Sequence, residues 1–87
     1  MYSDLIDCLS WIESTNNPYA YNPKDTDGRP KYGLLSYGEE EFQDWCVNLY
    51  HLPDDIWNGE SQKICAGYMI RDGQLWRWPT ARHCLGR

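Results

Sequence analysis

Four cysteines in a chain of 87 residues constrain this sequence more than any other feature. A folded chain this short buries only about 60–65% of the surface that its unfolded form exposes, so it can build one hydrophobic core at most. Two disulfide bonds would therefore add substantially to its stability. The cysteines stand at positions 8, 46, 65 and 84, and three pairings are possible.

The composition excludes several classes of function. The net charge of -5 and a pI near 4.7 argue against a nucleic-acid binder, which normally carries a basic stripe. No run of about 20 apolar residues is present to cross a bilayer, and the first residues lack the basic and apolar parts of a signal peptide. The chain has no linker or repeat, so we expect one domain over residues 1–87.

Apolar residues at three- and four-residue spacing predict a first helix that Ser3 caps and that ends near Glu13. Its apolar stripe is Leu5, Cys8, Leu9 and Ile12. Residues 16–35 are rich in Asn, Pro, Asp and Gly, which indicates successive turns or a short hairpin.

Three more helices are predicted after this lobe. Ser36 starts a capping box with Glu39, and the apolar face that follows is Phe42, Trp45, Cys46 and Leu49. A third helix is expected from near Asn58 to Asp72-Gly73, and a short fourth from Pro79 to Cys84. The predicted fold class is mainly α (α+β), with about four helices and a small loop or β-hairpin lobe after helix 1.

The predicted helices suggest how the four cysteines could pair. Pairing Cys8 with Cys84 and Cys46 with Cys65 is the simplest arrangement, since each bond then joins two helices. Four reduced cysteines, packed as small apolar residues, are an equally good interpretation at this stage. A zinc site is less favoured, because no Cys-x-x-Cys pair occurs.

The motif that indicates a catalytic function begins at the end of helix 1. Glu13-Ser14 is followed by Asn17-Pro18-Tyr19-Ala20 and, after a turn, by Gly33-Leu34-Leu35. This order and spacing resemble the signature of the soluble lytic transglycosylases, a lysozyme-like family with Glu-Ser, Asn-Pro-x-Ala and Gly-Leu-hydrophobic-Gln. Downstream, Ala66-Gly67-Tyr68-Met69 resembles the later helix of the family. In place of the final Gln of the motif, this chain has Ser36.

The resemblance implies a lysozyme-like fold and cleavage of the β-1,4 bond between N-acetylmuramic acid and N-acetylglucosamine in peptidoglycan. It makes Glu13 the single catalytic acid/base, which closes a 1,6-anhydro ring without a cofactor. Such an acid must stay protonated near neutral pH, and desolvation and a helix C-terminus both favour that form. The expected substrate-binding residues are Ser14, Tyr21, Tyr32, Gly33, Leu34, Leu35, Ser36 and Tyr68.

Alternatives remain open. A hydrolytic lysozyme would use a second carboxylate, for which Asp25 and Asp27 are candidates, although ordinary turn chemistry explains both better. The same loop matches part of a calcium-binding EF-hand, but Pro23 and Leu34 stand where carboxylates are required, so no metal is expected. Tyr19, Tyr21, Tyr32, Trp57, Trp76 and Trp78 exceed what the core needs, and such rings stack on sugars.

Two further classes of function compete with the enzyme. A glycan-binding or structural module would keep the fold without turnover, and a disulfide-framed secreted effector or inhibitor would explain the cysteines but not the motif. For the enzyme we expect glycan strands of peptidoglycan as the partner, no nucleic acid, no membrane span, a monomeric state, and a location in the cell wall, the periplasm or outside the cell.

Overall fold

The computed structural model describes residues 2–85 and leaves Met1, Gly86 and Arg87, the ends of the predicted domain, outside the described residues. Within that range the chain is mainly α with a small β-hairpin, as predicted. The elements in order are α1 (Ser3–Ser14), β1 (Tyr21–Asn22), β2 (Lys31–Tyr32), α2 (Glu39–Glu41), a π-helix (Phe42–Leu49), α3 (Gly59–Arg71) and two 3₁₀ helices (Leu75–Arg77 and Pro79–His83). The fourth predicted helix is thus a 3₁₀ helix, the form that short helical segments commonly take.

Neither of the two predicted N-terminal caps, Ser3 and Ser36, is formed. The N-cap of α1 is Tyr2, in a left-handed conformation with φ 58°, so Ser3 already lies inside the helix. The N-cap of α2 is Gly38, and Ser36 lies two residues earlier with φ 55°. The prediction that Ser36 caps the second helix was therefore wrong, and its hydroxyl is available for another contact.

The C-terminal end of α1 fixes the position of Glu13. Thr15 and Asn16 both adopt left-handed conformations, which stop the helix, and the backbone N–H of Asn16 donates to Ser10 O over 3.1 Å. The Ser10 hydroxyl then donates to Asn16 Oδ1 over 2.9 Å. Glu13 consequently lies in the last turn of α1, as the sequence predicted.

The turn-rich segment forms a hairpin and then a tight turn. β1 and β2 pair antiparallel, with Tyr21 opposite Tyr32. Tyr32 and Tyr37 exchange two backbone hydrogen bonds of 2.9 and 3.0 Å, which close a turn over residues 33–36. Gly33 has φ 80° in this turn, a conformation that glycine adopts without the penalty of a side chain. The turn delivers Leu34 and Leu35 into the core.

The second predicted helix is mostly a π-helix, in which each turn contains more residues than in an α-helix. Phe42 and Cys46 are buried, but Leu49 is 53% exposed. The wider turns explain this difference, because Leu49, seven positions after Phe42, no longer returns to the same face of the helix.

The core lies between α1, the π-helix, α3 and the last 3₁₀ helix, around the turn that follows the hairpin. The buried apolar residues are Ile6, Leu9, Leu34, Leu35, Tyr37, Phe42, Cys46, Cys65, Ala66, Met69, Trp78, Ala81 and Cys84.

Both disulfide pairs expected from the helical arrangement are present. Cys8 is bonded to Cys84, with Cα atoms 5.9 Å apart, and joins α1 to the segment after the last 3₁₀ helix. Cys46 is bonded to Cys65, with Cα atoms 5.3 Å apart, and joins the π-helix to α3. The interpretation with four reduced cysteines is therefore wrong in this structure. No helix within residues 2–85 is long and apolar enough to span a bilayer.

Candidate active site

Glu13 is half-buried at the end of α1, and its carboxyl contacts a distant part of the chain. The Thr80 hydroxyl, in the last 3₁₀ helix, donates a hydrogen bond of 2.8 Å to Glu13 Oε1. The disulfide between Cys8 and Cys84 joins the same two segments, so α1 and the Thr80 segment are linked covalently and through this hydrogen bond.

The pKa of Glu13 is raised above its ordinary value of 4.5. Burial is the largest cause, because desolvation disfavours the carboxylate. The hydrogen bond from Thr80 acts against this shift, the negative charge of Asp25 adds to it, and the Ser36 hydroxyl makes a smaller opposing contribution. The net result is a carboxyl that holds its proton to higher pH than an exposed glutamate does.

Glu13 opens into a cleft of about 670 Å³. One wall comes from the loop between β1 and β2, a second from Ser36 and the residues that start α2, and a third from the segment that precedes the last 3₁₀ helix. The residues that line it are Glu13, Asp25, Thr26, Asp27, Arg29, Pro30, Lys31, Ser36, Gly38, Glu39, Glu40, Glu41, Trp76, Arg77, Trp78 and Pro79. A cleft of this size accommodates a small ligand or part of a polymer.

The two loop aspartates differ in what holds them. The Asp27 carboxylate pairs with Lys31 Nζ over 2.6 Å and accepts from the Arg29 backbone N–H, and these contacts lower its pKa. Asp25 forms part of the same turn through its backbone but is half-buried in the cleft, close enough for its charge to act on Glu13. Asp25 is thus the carboxylate that the structure brings together with Glu13. Among residues 2–85 no group of three or more acidic, histidine or cysteine side chains is arranged to hold a metal ion.

An indole forms the exposed edge of the cleft. Trp76 is 68% exposed, and the guanidinium of Arg77 lies 5.0 Å from its ring centroid. The same guanidinium lies 4.9 Å from the ring centroid of Trp45, and Arg77 Nη1 donates to Glu41 Oε2 over 2.8 Å. Arg77 is therefore held by two rings and a carboxylate, and this fixes the position of Trp76. Neither Arg77 nor Thr80 belonged to the predicted site.

Several predicted substrate-binding residues lie behind the cleft and support it. Gly33, Leu34 and Leu35 are buried, and the Ser14 hydroxyl donates to Leu34 O over 2.8 Å. Gln62 of α3 is fully buried behind the same turn. Its Oε1 accepts from the Leu35 N–H over 2.9 Å, and its Nε2 donates to Tyr32 O and Ile56 O over 2.9 and 2.7 Å. This amide fixes the turn that carries Ser36 into the cleft.

The three predicted tyrosines do not line the Glu13 cleft, although Tyr32 contacts one of the residues that do, Glu39. Tyr21 and Tyr32 pack against each other with ring centroids 5.2 Å apart, and the Tyr32 hydroxyl donates to Glu39 over 2.6 Å. Tyr68 lies on α3 and packs against Tyr50 with centroids 5.0 Å apart. The structure thus brings Glu13 and Ser36 together but separates them from these rings.

Comparison with known proteins gives no match to this chain, whether to a family model, to a curated protein or to a solved structure.

Proposed function

We propose that this protein cleaves the β-1,4 glycosidic bond between N-acetylmuramic acid and N-acetylglucosamine in peptidoglycan, as a lytic transglycosylase on a lysozyme-like fold. One observation carries the proposal: Glu13 is half-buried in a cleft, with a raised pKa and one oxygen held by Thr80. A glycosidase needs a carboxylic acid that is still protonated near neutral pH. The two disulfides suit the oxidising compartments in which peptidoglycan is found, namely the periplasm and the outside of the cell.

The positions of the oxygens of Glu13 suggest their roles. Because Oε1 accepts the hydrogen bond from Thr80, Oε2 is the oxygen that carries the proton. In the first step Glu13 donates this proton to the leaving glycosidic oxygen while the C1–O bond breaks. The N-acetyl oxygen of the same muramyl residue attacks C1 and takes up the positive charge. No second carboxylate takes part in this step.

The second step reverses the role of Glu13. Its carboxylate removes the proton from the muramyl 6-hydroxyl, and the resulting oxygen attacks C1 to close the 1,6-anhydro ring and release the N-acetyl oxygen. The Thr80 hydroxyl stabilises the carboxylate that exists between the two steps. The exposed ring of Trp76 at the edge of the cleft offers a flat apolar surface for a sugar face.

Hydrolysis is the second candidate, and Asp25 is the observation that favours it. Asp25 lines the same cleft, and its charge raises the pKa of Glu13, as expected when two carboxylates share a site. In a hydrolase the second carboxylate acts as the nucleophile or as the base that activates water.

The experiment that tests the proposal is mass spectrometry of soluble products from purified peptidoglycan. The wild type should release 1,6-anhydro products, and Glu13→Gln, which cannot donate or accept the proton, should release none. Reducing-end products from the wild type would instead establish hydrolysis. No product from a folded wild type would refute catalysis and leave the glycan-binding module.

Asp25→Asn separates the two mechanisms further. A transglycosylase should keep its activity in this variant, with the high-pH limb of its profile moved to lower pH, because the neighbouring charge that raises the pKa of Glu13 is gone. A hydrolase should lose most of its turnover. Asp27→Asn is the matched control, because Asp27 is paired with Lys31.

A further inference from the structure

Four aromatic side chains form a continuous row on the surface beside the Glu13 cleft. In spatial order they are Tyr21, Tyr32, Trp57 and Tyr19, and we call them the aromatic row. Successive ring centroids are 5.2, 5.4 and 6.5 Å apart. Tyr19 is 74% exposed, Tyr21 55% and Trp57 37%. None of the four belongs to the core described above, so packing in the core does not account for the presence of these aromatic residues.

Local hydrogen bonds position the backbone at Tyr19 and Trp57 and the ring of Tyr32. The backbone N–H of Tyr19 donates to Asn17 Oδ1 over 3.0 Å, and that of Trp57 donates to Asp55 Oδ1 over 3.1 Å. The hydroxyl of Tyr32 donates to Glu39 over 2.6 Å, and this hydrogen bond raises the pKa of Tyr32 to about 12. The Tyr32 ring, which its hydroxyl holds in place, therefore loses little conformational entropy when a ligand binds.

The ring of Trp57 separates two clefts. One, of about 550 Å³, lies on the side of Tyr19, and the other, of about 410 Å³, lies on the side of Tyr32. The second cleft shares Glu39 with the Glu13 cleft. A long ligand can therefore follow the surface from the Glu13 cleft past Glu39 and onto the aromatic row.

The charges around the row select the class of ligand. The two clefts beside Trp57 are lined by the carboxylates of Glu39, Asp54, Asp55 and Glu60 and by a single cation, Lys63. Such a surface repels the phosphates of a nucleic acid. Uncharged sugars have apolar faces that stack on rings and hydroxyls that donate to carboxylates, and both features are present here.

We propose that the aromatic row binds the N-acetylated sugar backbone of a β-1,4-linked glycan strand outside the cleft in which cleavage takes place. This inference rests on the proposed function for the identity of the glycan but does not require turnover. A strand held at two places remains close to Glu13 after one contact is released, because the second contact keeps its effective concentration high.

The test is cosedimentation with insoluble peptidoglycan and with chitin, a neutral β-1,4-linked polymer. The parent protein is Glu13→Gln, so that cleavage does not remove the ligand. In this background Trp57→Ala and Tyr19→Ala should each weaken binding about fivefold, on the scale of one lost aromatic contact. Trp57→Phe, which keeps a ring, should recover most of the affinity. Trp11→Ala is the matched control, because Trp11 is 64% exposed on α1 and lies outside all of these clefts.

The melting temperature of each variant must match that of the parent, so that a loss of binding reflects the surface. Binding that is unchanged in Trp57→Ala and Tyr19→Ala, or lowered equally in Trp11→Ala, would overturn the proposal, as would a parent that binds neither polymer. Together, the binding and product measurements distinguish a failure of the aromatic-row proposal from a failure of the proposed catalytic function. Loss of binding in the row variants of a protein that releases no soluble products would support the row alone, whereas anhydro products with unchanged binding would support catalysis alone.

Discussion

The buried amide of Gln62 allows a quantitative test of how the site is built. Gln62→Leu keeps the approximate volume of the side chain but removes three hydrogen bonds to the backbone of Leu35, Tyr32 and Ile56. The Leu35 N–H and the Ile56 carbonyl are then left without a partner, at about 1–3 kcal/mol apiece, whereas the Tyr32 carbonyl still accepts from the Tyr37 N–H. The added apolar burial of leucine offsets part of the loss. We therefore expect the free energy of unfolding to fall by about 2 to 4 kcal/mol.

The measurement is chemical denaturation followed by circular dichroism, extrapolated linearly to water. The matched control is Gln43→Leu, the same chemical change at a site whose amide bonds to the exposed Asp54 carboxylate, and it should change stability by less than about 1 kcal/mol. A chain of this length has roughly 4–13 kcal/mol of stability, so the expected loss is easily measured. If Gln62→Leu costs less than about 1 kcal/mol, or no more than Gln43→Leu, the reasoning about unsatisfied backbone groups is refuted.

Three further predictions follow from the site and the disulfides. Glu13→Gln should be more stable than the wild type at neutral pH, because the raised pKa of Glu13 makes the folded wild type bind more protons than the unfolded chain between pH 4.5 and that pKa, so that its stability falls as pH rises through this window. Melting temperatures that depend on pH in the same way for both proteins would contradict this prediction. Thr80→Val should lower turnover about fivefold and move the high-pH limb of activity to higher pH, because the removed hydrogen bond lowers the pKa of Glu13; an unmoved limb would exclude Thr80 as a positioning residue. In the Cys8→Ser/Cys84→Ser double variant the free energy of unfolding, measured by chemical denaturation, should fall by about 4.5 kcal/mol, because the disulfide closes a loop whose ends are separated by 76 positions. A fall of less than about 2 kcal/mol would contradict this prediction.

Local patterns predicted the elements that depend on local interactions. The apolar stripe of α1 led to the position of Glu13, and α3 starts next to Asn58, as expected. The structure adds that Asn58 caps this helix, with Asn58 Oδ1 accepting from the Ser61 N–H over 3.1 Å. The two disulfides are the pairs that the sequence favoured as the simplest arrangement, beside the equally good interpretation of four reduced cysteines. All of these inferences involve spacing along a helix or the chemistry of a turn.

Features that depend on tertiary contacts could not be predicted from the sequence. Thr80 supports Glu13 across 67 positions of sequence, and no short motif signals such a contact. The hydroxyl of Ser36 had two possible uses, and only the left-handed backbone of the turn directs it away from α2 and toward Glu13. The π-helix has the composition of an amphipathic α-helix, so the exposure of Leu49 could not be foreseen from its spacing.

The bond between Cys8 and Cys84 also sets an order of events for any passage of this chain through a narrow channel. The two cysteines are separated by 76 positions, so the closed loop contains most of the chain. A cross-linked loop can be pulled through a pore only as two strands side by side. A pore that admits one extended strand therefore accepts this chain only while its thiols are reduced. The contact between Thr80 and Glu13 lies within that loop and can form only after such a passage.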